Sequence, residues 1–378
     1  MKYMGSKRAM LQNGLGVLLC EEAQGRARIV DLFCGSASVS WFSAQRFDVP
    51  VLAVDLQRFS IVLAQSVLLR TKPLLHGAII SDWMSRSQDW LRSKKVHTEA
   101  KRIDQTASRI LQWCRDARRV CSENNPRDAA VWRAYGGYYF SPFQSLVIDS
   151  LANTLPTLKT HREACLACLI IACSRCAASP GHTAQPFKPN ATAGKYLSES
   201  WRKDVLALVL EASQEIFPNF AKKQGDAIVG DAIIAASRLR ESDLAFVDPP
   251  YSGVHYSRFY HVLETVANGG CGDVSGSGRY PSQSERPFSQ FSRTSESESA
   301  FDSLLKTIAA RGATAIVTFP KGDCSNGLSG KIVEGVADRY FCLRKKAVKT
   351  RFSTLGGNNR NRQSRQLSEE LILVLKPK

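Results

Sequence analysis

The sequence predicts an α/β fold, a mostly parallel sheet interrupted by an inserted and mostly helical region. Three observations predict it. Short apolar runs that end in acids, "RIVDLF" and "VPVLAVD", flank a helical pattern near the start. Residues 82 to 225 then turn rich in Arg, Cys, Trp and Ala, with helical periodicity in "KRIDQTASRILQWCRDARRVC". Short buried strands return at "DAIVGDAI" and "SDLAFVDPPY". Strands alternating with helices argue for parallel βαβ units.

Taken in order, "RIVDLFCGSAS" is a β-rich run ending in small residues, "VSWFSAQRF" is helical, and "VPVLAVDLQ" is a second buried strand. This places the sheet domain in residues 1–81 and 226–378 and the inserted domain in 82–225. Residues 269–299, nearly all Gly, Ser, Pro and charge, cannot bury much apolar surface and read as a long mobile loop. "FDSLLKTIAARG" is helical and "ATAIVTFP" is a strand; "RYFCLRKKAVKTRFS" and "EELILVLKP" read as a closing pair of strands. Between that pair lies "GGNNRNRQSR"; from Arg344 to Arg365 there are eight basic residues and no acid.

A chain of 378 residues, 44% of them hydrophobic, is long enough for a sizeable core. Fifty-one Lys and Arg against 34 Asp and Glu leave a charge of +17, which favours an anionic partner such as nucleic acid. No apolar run approaches the ~20 residues of a membrane span, and "MKYMGSKRAML" lacks the apolar core of a signal peptide. A reducing cytoplasm is therefore expected, with the eleven cysteines as free thiols. Cys165, Cys168, Cys173 and Cys176 form two CxxC pairs, but only four residues separate the pairs, short for a zinc ribbon. On a helix they share one stripe, so they read as core and no metal is expected.

Two places carry chemistry. "DLFCGSAS" puts a glycine-centred turn between a strand and a helix, and Asp55 ends the next strand, where a carboxylate can accept both hydroxyls of a ribose. Either piece alone also serves packing; together they favour a nucleoside cofactor. The second place is Asp248-Pro249-Pro250-Tyr251. Neither proline donates an N–H, so the pair ends the strand and fixes its exit from the sheet. The Asp248 carboxylate and the Pro249 carbonyl then offer two rigid acceptors to an exocyclic amino group, and Tyr251 offers a flat face to a base.

On these residues the chain resembles the Dam-like DNA N6-adenine methyltransferases, the alpha group of amino-methyltransferases. "KYMGSK" resembles their opening motif, "DLFCGSAS" their glycine loop and "VLAVDLQ" their ribose-binding strand, followed in order by an inserted recognition region and Asp-Pro-Pro-Tyr. The resemblance covers about 1–80 and 226–378. It implies a Rossmann-like methyltransferase sheet with an inserted target-recognition domain, S-adenosylmethionine as cofactor and double-stranded DNA as substrate. It further implies cofactor contacts at Tyr3, Lys7, Phe33, Gly35, Asp55, Asp231 and Asp248, catalysis at Asp248, Pro249, Pro250 and Tyr251, and a target adenine flipped out of the duplex. A bacterial cytoplasmic protein with a restriction or defence partner would fit the same resemblance. One position departs from it: where the family's loop has a second glycine, this chain has Ala37. In the basic segment, Arg360, Arg362 and Arg365 are candidate phosphate contacts, although such a run can also be a solvated face. Two rivals stand beside this reading: methylation of RNA adenine or cytosine N4, and a non-catalytic nucleic-acid-binding subunit, whose mark would be a broken catalytic motif.

Overall fold

The apolar runs become strands, and those at the centre of the sheet are covered on both faces. Five of them pair in parallel in the computed structural model, which describes residues 5–106, 109–352 and 366–378. They are β1 Arg28–Asp31, β2 Val51–Asp55, β3 Asp226–Val229, β4 Asp243–Val247 and, further along, β7 Thr314–Pro320. Val274–Ser275 (β5) and Tyr280–Pro281 (β6) form a separate two-stranded hairpin, and Phe341–Phe352 (β8) and Gln366–Pro377 (β9) close the large sheet. Its order is β3-β2-β1-β4-β7-β9-β8, with β9 antiparallel to both of its neighbours. Every residue of β4 and of β7 is buried, as expected for strands inside a parallel sheet sheathed by helices.

The chain runs outward from β1 through β2 to β3, then returns to place β4 on the other side of β1. The order reverses between β1 and β4, and open α/β sheets bind ligands outside the carboxyl ends of the strands at such a switch point. β1 and β4 run in register from Arg28 opposite Asp243 to Asp31 opposite Phe246, so both strands finish at one level. This is the mostly parallel Rossmann-like sheet that the sequence predicts.

The chain folds into two compact units. The sheet unit comprises Met4–Lys72, Asn219–Tyr256 and Pro287–Lys378; the helical unit includes Pro73–Pro218 and Ser257–Arg286. The second stretch of the helical unit is one that the sequence alone assigns to the sheet. Its helix, Tyr256–Asn268, buries His261 edge-on against Tyr135 and Tyr139, and Thr183 N–H donates to the Phe259 carbonyl at 2.7 Å.

Within the helical unit, the helix Lys159–Cys176 is buried on every side from Glu163 to Ser174, so the four cysteines belong to an all-round core rather than to one stripe. Asp149 accepts the N–H groups of Val131 and Trp132, at 2.9 and 2.8 Å, and so caps the helix Ala130–Tyr135. Residues 269–299 carry more structure than their composition suggests, because polar side chains supply the local bonds: Glu285 accepts from Gly272 N–H and pairs with Ser282 in a capping box, while Phe291 is fully buried. No helix among the described residues is long and apolar enough to cross a membrane.

Candidate active site at the switch point of the sheet

Asp248 is the first residue after β4, where the prolines end the ladder. The register of β4 on β7, Val247 opposite Val317, sets Asp248 beside Thr318, whose hydroxyl donates to Asp248 Oδ1 at 2.9 Å. Lys7 Nζ reaches the same oxygen at 3.1 Å and Glu370 Oε2 at 2.9 Å. Glu370 comes from β9, opposite Pro320 of β7. Lys7 is only 4% exposed. Burial disfavours its charge, but the Asp248 and Glu370 carboxylates outweigh burial and hold the ammonium firmly protonated. Asp248 goes the other way. Burial, with the Glu370 charge behind it, raises its carboxyl to about 6 against the pull of Lys7 and Thr318. One ammonium is shared by two carboxylates, so it cannot fully compensate either.

Both protein partners of Asp248 meet at Oδ1. Among the described residues, none donates a hydrogen bond to Oδ2 or to the Pro249 carbonyl. The Pro250 carbonyl, by contrast, is taken. Asn326, fully buried, donates through Nδ2 to Pro250 O at 2.9 Å and to Phe291 O at 3.0 Å. Ser325 Oγ accepts Gly253 N–H at 3.0 Å, and Ser297 Oγ donates to the Asn326 carbonyl at 2.7 Å. The loop leaving β4 is thereby fastened to the turn that follows β7. Tyr251 stands edge-on to Phe319, 6.4 Å between ring centroids, with Lys7 Nζ 5.8 Å from its own centroid. Gly5, at φ +76°, lets the ring approach: a Cβ there would collide with the Tyr251 hydroxyl.

The ends of β1 and β2 form the other wall. Asp55 accepts Gly35 N–H through Oδ2 and Gln57 N–H through Oδ1, each at 2.9 Å, so the glycine turn is tied to the end of β2. Ala37 adopts a left-handed conformation, φ +59° and ψ +15°, just before the helix Ser38–Arg46. That conformation explains why a glycine is the expected residue there. Asp31 is buried beneath the turn and accepts Ser40 Oγ–H at 2.6 Å. Burial, with smaller pushes from the Asp248 and Asp55 charges, raises it to about 7 against the Ser40 and Phe33 hydrogen bonds. Phe33 is half-buried, edge-on to Phe291 at 5.1 Å. Asp231 caps the helix Ala232–Ala236 through Oδ1, which accepts from Ile233 and Ile234 N–H.

Residues 3–169 match the family described as D12 class N6 adenine-specific DNA methyltransferase. Over those residues the chain is similar to that class. The modification methylase LlaI of Lactococcus lactis subsp. lactis is 22% identical over 316 residues, which are 82% of this chain and 44% of that relative. The chain therefore spans less than half the length of the curated relative that it matches. The D12 match takes in Lys7, the glycine turn and Asp55, and ends well before Asp248.

Of the residues singled out from the D12-like motifs, the fold brings Lys7, Asp248 and Tyr251 into one cluster and ties Gly35 to Asp55. Tyr3, Arg360, Arg362 and Arg365 lie outside the described residues. Sequence reasoning missed Thr318, Glu370 and Asn326. Each reaches the site from far along the chain through sheet register or a loop clasp. Glu370 alone left a sequence trace, as an acid entering the apolar run "LILVL".

Proposed function

We propose that this protein transfers a methyl group from S-adenosylmethionine to the N6 amino group of adenine in double-stranded DNA. The observation that carries the reading is a pair of acceptors to which none of the described residues donates, Asp248 Oδ2 and the Pro249 carbonyl, on a loop that Asn326 fixes. An exocyclic amino group has two N–H donors and fits two rigid acceptors. Accepting both orients the nitrogen and draws its lone pair out of ring conjugation, which makes a weak nucleophile usable by positioning and electrostatics. Thr318 and Lys7 hold Asp248 from its other oxygen, and Asp248 is ionised above about pH 6 and able to accept. Tyr251 would wall the ring of a base flipped out of the duplex.

For the cofactor, Asp55 stands at the end of β2 against the glycine turn, where a carboxylate suits the hydroxyls of a ribose. The Gly35 turn, Phe33, Asp231 and Lys7 would complete that side, with Tyr3 from the resemblance. When bound, S-adenosylmethionine supplies an electrophilic sulfonium methyl. Arg360, Arg362 and Arg365 remain candidate phosphate contacts; neutralising all three should weaken binding on every DNA sequence and flatten its salt dependence. The relative's name, a modification methylase, supports a role in DNA modification, with a restriction or defence partner as the expected companion.

The test is methyl transfer from labelled S-adenosylmethionine to duplex DNA and to total RNA, with Asp248→Ala alongside. Label on DNA adenine that vanishes in Asp248→Ala, while DNA binding survives, is the expected result. Label in RNA alone would reassign the substrate. Wild-type turnover in the variant would overturn the assignment of Asp248.

A further inference from the structure

The helical unit contains a pocket of about 290 Å³ that the methyl-transfer reading does not use. Arg109, Lys195 and Arg202 line it, together with Trp113 and Asn190. The three cations are exposed, and among the described residues none of them meets a carboxylate within ion-pair distance. Trp113 is 4% exposed, and its indole N–H has no acceptor among the described residues. Trp201 packs edge-on against Trp113, 5.1 Å between ring centroids at 87°, and holds the ring in place; the Arg202 guanidinium lies 6.0 Å from the Trp113 centroid. Asn190 Oδ1 accepts Ala193 N–H at 2.8 Å, which fixes the turn that carries the amide.

We infer that this pocket is a phosphate-binding site, taking one phosphate of a polynucleotide backbone or of a free nucleotide. Three positive side chains that no carboxylate neutralises suit a doubly or singly charged phosphate, and two of them carry the forked guanidinium that matches its oxygens. The face of Trp113 forms part of the wall, and the volume of the pocket admits a phosphate with its sugar. The chemistry stands on the pocket alone; only a DNA source rests on the proposed function.

The experiment uses the full chain and the double variant Arg109→Gln/Arg202→Gln. Both residues are exposed, so folding should hold, and unchanged thermal unfolding checks this. Binding of a fluorescent duplex is followed against salt, and deoxyadenosine monophosphate is titrated by calorimetry. If the pocket takes a backbone phosphate, the variant binds duplex roughly tenfold more weakly and its log–log salt slope falls by about 1. Arg109→Lys/Arg202→Lys should restore the slope, which a merely structural role would not predict. If it takes a free nucleotide, the wild type binds the mononucleotide, the variant does not, and the duplex slope is unchanged. An unchanged slope with no mononucleotide binding overturns the site. These readouts need no turnover, so a failure of methyl transfer would leave this result standing.

Discussion

Lys7 and Asp248 lie 3.1 Å apart, nearly buried, yet burial raises the carboxyl to about 6. An ion pair normally lowers a carboxylate. Here the ammonium also serves Glu370, and burial of two acids around one base outweighs the attraction. Burial is thus the main reason that Asp248 holds its proton, and the Glu370 charge adds to it.

Glu370→Gln should move the acid limb of the kcat/KM profile to lower pH, because the second negative charge is gone and Lys7 serves Asp248 alone. Lys7→Met should move it to higher pH, and removing one partner of a buried pair should cost about 3–5 kcal/mol of stability. Opposite shifts in the two profiles are the expected outcome; shifts in the same direction would sink the shared-ammonium account.

Turnover and stability should answer pH with opposite signs. A carboxyl raised in the folded state contributes stability below its unfolded value near 4 and loses it as pH rises through the folded value. For Asp248 that window ends at about 6 and for Asp31 at about 7. Over the same window Asp248 ionises and turnover should rise. Asp31→Asn removes one of the two buried charges, so urea unfolding at pH 5 and pH 8 should show the variant gaining on wild type at the higher pH. A constant difference would mean that Asp31 titrates normally.

Asn326→Ala should lower kcat by roughly ten- to a hundredfold with little change in KM for DNA, since a small misplacement of reacting groups is costly in rate. It strips the donor from the buried Phe291 carbonyl and the half-buried Pro250 carbonyl, and so should also cost about 1–3 kcal/mol. Steady-state kinetics beside thermal unfolding separate the two effects; a fall in stability with kcat intact would make Asn326 structural only.

Ala37→Gly should leave stability within about 1 kcal/mol of wild type. Relief of the left-handed backbone, about 1 kcal/mol, offsets the buried methyl that is lost, about 0.8 kcal/mol. Ala37→Val should destabilise clearly, because a β-branched residue fits that conformation poorly. Thermal unfolding of both, with cofactor binding measured in parallel, decides it; an equally stable valine variant would contradict the observed φ.

Much of this was legible in the residues themselves. Asp248-Pro249-Pro250-Tyr251 announces the end of a strand because proline forbids its continuation, and the acids closing "RIVD" and "VLAVD" mark strand ends in the same way. Periodicity found the helical region, while its reach into Ser257–Arg286 was hidden, since only packing joins that stretch to the distant Tyr135 and Tyr139. Glu370, Thr318 and Asn326 escaped because nothing local in a chain states which residues will oppose one another across a sheet.

The bond between Lys7 and Glu370 spans 363 positions of sequence. Pairings of such separation carry a large closure entropy and tend to form late in folding. Lys7 gains its second carboxylate only once β9 has inserted between β7 and β8, so until then its link to Asp248 lacks the anchor on Glu370. Completion of the shared-ammonium cluster is thereby tied to a late step of assembly.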